Sequence, residues 1–346
     1  GTDFNIYAED IFVGYRYFET FAKDRVQYPF GFGLTYTWFA VAVDAVVADS
    51  AAVTITVTVT NSGEVAGREV VQAYLRAPDG ALSQPARRLA AFAKTGLLEP
   101  GASETLELTF TLAEVASFDD SDATGHKNAW VLEAGEYELY VGTDVRSAPR
   151  AGSFTLPELQ VVRQVGEAAA PTHPFPRMVL RRDAAGAAEV AWQDVPQAVT
   201  SLRERIIAGL PAEITVTGDV GITLDDVAAG THTLDASIAQ LSPEELADLT
   251  RGDVTMHSAL GAPGNAGVFG GVSESLRAKG VPAVTTTDGP SGIRLAAYAP
   301  LLPSGTALAS TWNLALVREL ATLHGQEMVR KGSDVLLSPG MNIHRD

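Results

Sequence analysis

Thr287-Asp288-Gly289-Pro290-Ser291-Gly292-Ile293-Arg294 is the stretch on which the fold turns. It follows residues 281–284, Val-Pro-Ala-Val, a short apolar run that predicts a buried strand. Barrel-type and open α/β enzymes place the groups that hold a substrate at the C-terminal ends of such strands. Gly289 and Pro290 fix the turn, which leaves Asp288 as an aimed, acceptor-only carboxylate. Arg294, six residues further on, can hold a carboxylate or a hydroxyl in its guanidinium fork. The competing account is local, an aspartate that only caps its own turn.

Outward from this octet the pattern is α/β. Ser242-Pro243-Glu244-Glu245 has the N-cap, first-turn proline and N3 glutamate of a helix start, and predicts a helix over 244–250. A glycine-rich loop over 261–271, a helix over 273–278 and the strand at 281–285 come next. A longer helix is expected over 314–329, with Leu316, Val317, Leu320, Leu323 and Met328 broadly on one side and Gly332 as its stop. A second buried strand is expected at 334–337, ending in Ser338-Pro339-Gly340-Met341-Asn342. Helix, strand, loop, helix, strand, loop is the opening of a parallel α/β unit. One or two βα units close no barrel, so the expectation is a domain whose larger part lies elsewhere.

The preceding region reads differently. Val53, Ile55, Val57 and Val59 alternate with Thr54, Thr56, Thr58 and Thr60, and Asn61-Ser62-Gly63 then turns the chain. Residues 69–75, 106–112 and 137–141 predict further strands, with turns at Glu99-Pro100-Gly101 and Ala134-Gly135. Short strands with period-two patterning over about a hundred residues indicate an antiparallel β-sandwich. Asp119, Asp120 and Asp122 raise the question of calcium, but there is no glycine-anchored twelve-residue loop ending in Glu, and a solvated turn is the expectation. Residues 5–39 are crowded with aromatics, and Pro29-Phe30-Gly31-Phe32-Gly33-Leu34 cannot form a helix interior. They predict backbone passing close under rings, either as a loop packed between domains or as an exposed sugar platform. Between the two readable regions, 171–176 predicts a stiff extended linker, followed by a helix near 198–208, short strands around 214–216 and an Asp-rich turn at Asp225-Asp226.

Composition narrows the function. In 346 residues, 25 Lys and Arg stand against 42 Asp and Glu, a net charge of −17, and no local basic patch offsets it, so nucleic acid is not an expected partner. With no cysteine there is no disulfide and no thiolate zinc site. The six histidines form no i, i+4 pair, so no metal and no other cofactor is expected. No apolar run approaches the ~20 residues of a membrane span, and no signal-peptide pattern opens the chain, so no membrane partner is expected and the balance leans to the cytoplasm.

Three blocks resemble glycoside hydrolase family 3, the β-glucosidase and β-xylosidase group. Val13-Gly14-Tyr15-Arg16-Tyr17-Phe18 with residues 28–36, Tyr-Pro-Phe-Gly-Phe-Gly-Leu-Thr-Tyr, is similar to the end of that family's α/β sandwich domain. Residues 57–63, Gly67, Glu69-Val70-Val71-Gln72 and Leu98-Glu99-Pro100-Gly101 resemble its fibronectin type III-like domain. Residues 287–294, Leu302-Pro303-Ser304-Gly305-Thr306-Ala307 and residues 336–345 resemble the start of its (β/α)8 barrel. The resemblance implies a multidomain chain in the swapped order found in a subgroup of the family: 1–35 the end of an α/β sandwich, 36–156 a fibronectin type III-like β-sandwich, 157–235 a linker region, and 236–346 the first βα units of a TIM barrel. It implies part of a retaining exo-acting β-glycosidase, with a β-linked oligosaccharide or glycoside as substrate and the remainder of the same enzyme as partner; a homo-oligomer is compatible. The family's Ser-Asp-Trp nucleophile motif has no match, since Ser121-Asp122-Ala123 and Ser333-Asp334-Val335 both depart from it. The acid/base glutamate is expected upstream of Gly1, so no catalytic residue is assigned in this segment. The family's substrate-binding aspartate does match, at Asp288, and Arg294 is a candidate partner of the same pocket. The alternative of a different class is a non-catalytic carbohydrate-binding or structural module built on the sandwich.

Overall fold

The computed structural model describes residues 5–254 and 256–341. They form two compact units, one over 5–207 and one over 208–341.

In the first unit a short helix, α1 (Tyr15–Phe21), precedes β1 (Phe39–Ala48), β2 (Ala52–Asn61), β3 (Val70–Arg76), β4 (Arg88–Lys94), β5 (Ser103–Thr111), β6 (Ser117–Asp119), β7 (Ala129–Leu132), β8 (Gly135–Gly142), β9 (Arg150–Leu156), β10 (Gln160–Gln164), β11 (Pro176–Arg182) and β12 (Ala188–Asp194). One sheet runs β1-β2-β5 and the other β4-β3-β8-β9, with β10-β7-β6 as a third, smaller sheet. The period-two pattern explains the sandwich directly. Val53, Ile55, Val57 and Val59 of β2 are fully buried and share one core with Val71, Ala73 and Leu75 of β3 and Leu106, Leu108 and Phe110 of β5. The intervening threonines serve the outer face, where Thr54 meets Thr109 at 3.1 Å, Thr58 meets Thr105 at 3.2 Å and Thr60 meets Ser103 at 2.7 Å.

Two expectations in this unit need correction. The stretch after the sandwich is more than a linker: β10 joins β7, and β11 and β12 form a hairpin whose turn is held by Asp183, which accepts from the backbone N–H of Ala185 (2.9 Å) and Ala187 (2.8 Å). Neither hairpin strand buries a full face, so no clean alternation marks them. The aromatic segment divides. Tyr15 stacks on Phe30 with centroids 4.3 Å apart, whereas Tyr36 and Trp38 are 97% and 78% exposed. The close approach at Gly31 is to an amide and not to a ring: a Cβ there would lie 1.9 Å from Gln72 Oε1.

The helix α2 (Leu202–Ala208) is followed in the second unit by α3 (Leu224–Ala228), α4 (Leu234–Ala239), α5 (Pro243–Arg251), β13 (Gly267–Gly270), α6 (Glu274–Ala278), β14 (Ala283–Asp288), α7 (Gly305–Ala309), α8 (Leu314–Lys331) and β15 (Val335–Leu337). The predicted N-terminus of α5 is present in full: Ser242 accepts from the Glu245 N–H, Glu245 accepts from the Ser242 N–H, and Pro243 occupies the first turn. β14 and β15 are parallel, with Asp288 opposite Leu337. Residues 214–216 form no strand, and Asp225-Asp226 lies in α3, because Thr223 and Asp226 make a capping box. The glycine-rich loop hides β13, which pairs antiparallel with β14. Where the sequence predicts a buried strand at 334–337, β15 stands at the edge of its sheet among the described residues, and Val335 and Leu337 are 37% and 52% exposed. No helix among the described residues is long and apolar enough to cross a membrane.

Candidate functional site

Asp288 is the last residue of β14, at the C-terminal end of the parallel pair. The pair is fastened at its other end by Asp334, whose Oδ2 accepts from the Thr285 N–H at 2.8 Å while its own N–H donates to Thr285 O at 3.0 Å. Thr285 and Thr287 are the buried residues of β14, so its inward positions are threonines and not the valines of the run that announced it. Beyond Asp288 the chain doubles back, and Arg294 bridges to Asp288 with its N–H donating to Asp288 O at 2.8 Å.

Only glycine permits this return. Gly289 has φ 148°, and a Cβ on it would lie 2.1 Å from Gly292 O. The result brings the two predicted site residues together. Asp288 Oδ1 accepts from the Gly289 N–H at 3.0 Å, and Oδ2 accepts from Arg294 Nη1 at 3.1 Å. The Asp288 side chain is 40% exposed and that of Arg294 64% exposed. Asp288 therefore does cap its turn, but with one bond, and it keeps an open face. Three loops gather beside it. A Cβ on Gly340, after β15, would lie 3.1 Å from Pro290, and one on Gly305, at the start of α7, would lie 2.9 Å from Gly340 O. Asn342, Ile343, His344 and Arg345, part of the block after β15, lie outside the described residues.

The other aspartates singled out in the sequence are committed to structure. Asp334 holds the β-pair. Asp122 accepts from the Lys127 N–H at 3.1 Å. Asp119, fully buried, takes the Ser121 and Ala123 N–H groups on Oδ1 (3.0 and 3.1 Å) and the Thr124 N–H and hydroxyl on Oδ2 (both 2.7 Å). Burial alone would raise its pKa, and these donors outweigh that and lower it. Asp120 forms a two-pronged pair with Arg177 at 2.7 and 2.8 Å. Sequence reasoning missed a second task of Glu245, which besides capping α5 accepts from Lys279 Nζ at 2.7 Å. That hydrogen bond holds its carboxyl below the ordinary range, and Lys279 also reaches Asp219 at 2.9 Å. Nothing in the sequence pairs residues 34 positions apart.

A fibronectin type III-like domain model matches residues 69–145. A β-glucosidase of Ruminococcus albus is 49% identical over 345 residues, covering 99% of this chain and 36% of the relative. β-Glucosidase A of Butyrivibrio fibrisolvens is 35% identical over 395 residues, covering 99% of this chain and 45% of the relative. The crystal structure of a β-glucosidase from Paenibacillus barengoltzii superimposes with a TM-score of 0.94 at 47% identity, over 99% of this chain and 38% of that one. The chain thus spans less than half the length of these relatives. Matched over 99% of its length by such relatives, the chain is glycoside-hydrolase-like. More particularly, these likenesses support a β-glucosidase-like chain of the glycoside hydrolase family 3 type. A stand-alone non-catalytic module is not favoured.

Proposed function

We propose that this chain is part of a retaining, exo-acting β-glucosidase that hydrolyses terminal non-reducing β-D-glycosyl residues. In it Asp288 holds sugar hydroxyls and Arg294 fixes the Asp288 carboxylate. The second unit would then be the opening of a (β/α)8 barrel and residues 1–35 the end of an α/β sandwich. The observation that carries the proposal is the state of Asp288. An ionised carboxylate offers about four acceptor sites, and here one is taken by the Gly289 N–H and one by Arg294. The rest suit two adjacent hydroxyls, whose hydrogen bonds to a charged acceptor are worth about 1.5–3 kcal/mol each. Such contacts raise kcat to the degree that they strengthen as the sugar approaches its oxocarbenium-like transition state.

The reaction needs a nucleophile and an acid/base carboxyl about 5–5.5 Å apart, and neither has a matching position in this chain. The 346-residue chain should therefore give no turnover of an aryl β-glucoside, and clear activity would overturn that assignment. In a longer polypeptide carrying both carboxyls, Asp288→Ala should raise KM and lower kcat, with kcat/KM falling about a hundredfold or more, each tenfold being 1.36 kcal/mol. If neither parameter moves, Asp288 is a turn cap and nothing else.

A further inference from the structure

Within the first unit a cleft of about 910 Å³ opens between the N-terminal segment, the edge of the sandwich and the β11–β12 hairpin. That volume lies at the upper end for small-molecule sites and suits an elongated ligand of several rings. Two aromatic side chains contribute to its wall. Phe118 of β6 and Trp130 of β7 are cross-strand partners, their ring centroids 5.3 Å apart and their planes tilted by 49°. They remain 39% and 42% exposed. Large rings left open in a concavity mark a surface that a ligand can cover, whereas single exposed rings on a convex face mark nothing.

The polar lining narrows the ligand. Three arginines stand against four carboxylates, a net of one negative charge, so the cleft as a whole has little to offer an anion. Asp120 takes Arg177 on both oxygens, Nη1 on Oδ2 at 2.7 Å and Nη2 on Oδ1 at 2.8 Å. Its side chain is still 28% exposed, and each oxygen has a further lone pair. Gln84, 7% exposed, donates from Nε2 to Ser117 Oγ at 2.9 Å, and its amide oxygen takes no hydrogen bond among the described residues. These acceptors call for hydroxyl donors. A neutral ligand with apolar faces and a rim of hydroxyls meets both demands, and that is the chemistry of a sugar. In β-linked glucose the ring substituents are equatorial, so each ring shows two flat CH faces to an aromatic wall. An extended β-linked chain can also set successive rings on Trp130 and Phe118, where an α-linked chain curls away.

We propose that this cleft binds a β-linked gluco-oligosaccharide, with neighbouring rings on Trp130 and Phe118 and their hydroxyls on Asp120 and Gln84. It is an accessory site that shares no residue with the Asp288 turn. It goes beyond the glycosidase reading, which stands or falls by turnover and by Asp288.

The test is calorimetric titration of the 346-residue chain with cellotetraose, and with α-linked maltotetraose as the control. Cellotetraose should bind with saturating heat, and maltotetraose about tenfold more weakly or not at all. Trp130→Ala should weaken cellotetraose binding about tenfold, and Trp130→Tyr, which keeps a ring, should recover most of the loss. Phe118→Leu, which keeps apolar bulk without the ring, is the second variant and should weaken binding several-fold. A thermal melt of each variant confirms that it is folded. Asp288→Ala should bind cellotetraose as wild type does, which separates this site from the glycosidase reading. The proposal is overturned if wild type takes up no cellotetraose at millimolar concentration, or if maltotetraose binds equally well. It is overturned too if folded Trp130→Ala and Phe118→Leu both bind like wild type, or if Asp288→Ala loses the binding. A longer polypeptide carrying Asp288→Ala must also bind; failure there would put another polypeptide segment in the cleft and overturn the sugar as its occupant.

Discussion

The two units differ in how much apolar surface their described residues bury. In the sandwich, side chains from facing sheets meet in one continuous core, with Val53, Ile55, Val71 and Leu139 fully buried. In the α/β unit few apolar side chains are buried, among them Leu276, Val268 and Ile293, while Leu314, Leu323 and Val329 of α8 are 68%, 54% and 79% exposed. Local polar bonds are prominent in it. Capping boxes close the starts of α3 and α5, the Asn313 side chain caps α8, and Asp334 ties β14 to the start of β15. Among the described residues, then, apolar burial is concentrated in the sandwich, and the α/β unit shows its local polar bonds more than a core.

The largest effect should come from testing the core itself. Leu108 of β5 is 1% exposed. Leu108→Ala should cost about 2–5 kcal/mol, a transfer term plus a cavity term. The matching change in the other unit, Leu323→Ala, removes a side chain that is 54% exposed and should cost no more than about 0.5 kcal/mol. Urea unfolding can separate the two, since Trp38, Trp130 and Trp192 report the first unit and Trp312 the second. Equal losses for the two variants would mean that α8 is packed in solution, and the contrast between the units would fail.

A sharper test lies where the N-terminal segment meets the sandwich. Gly31 has φ 87° and lies against Gln72, whose Nε2 donates to Gly31 O at 3.2 Å and Thr143 O at 2.6 Å. Gln72 Oε1 also accepts from the Tyr74 hydroxyl at 2.5 Å. Gly31→Ala must strain the backbone and displace that amide, at a cost of about 1–3 kcal/mol. Gly33→Ala is the control, because a Cβ there meets nothing within 4 Å and its φ is not positive. If both variants unfold at the same urea concentration as wild type, the segment is not anchored through Gln72.

These contrasts follow how much of the molecule was legible beforehand. The sandwich strands were readable because each buries one face, which writes a period of two into the sequence. The turn that joins Asp288 to Arg294 was readable because Gly289 and Pro290 announce it. β13 was hidden, since Gly267 and Gly270 at its two ends read as loop. The sequence predicts a turn at α3 because Thr223 and Asp226 reveal a capping box only once the backbone is helical. The cleft beside the N-terminal segment was out of reach altogether. Arg16, Arg88, Asp120 and Arg177 come from four separate stretches, and no local pattern relates them.

The smallest expected effect concerns charge. Asp119 has its pKa lowered by the Thr124, Ala123 and Ser121 donors, which prevail over the burial that would raise it. A depressed carboxyl adds stability that is present above its unfolded pKa of about 3.9 and is lost as pH falls through the lower folded value. Asp119→Asn keeps the shape and gives up the charge. The variant should be less stable than wild type at pH 7, and the gap should narrow steadily from about pH 4 downward as the wild-type carboxyl takes up its proton. Glu245→Gln should show the same closing gap in the α/β unit, because the Lys279 hydrogen bond holds Glu245 low as well. Following Trp312 for that variant, and the other tryptophans for Asp119→Asn, keeps the units apart. A gap that stays constant from pH 7 to pH 3 at Asp119 would show that its turn depends on shape alone. A constant gap at Glu245 would remove charge from the set of local bonds that hold the α/β unit.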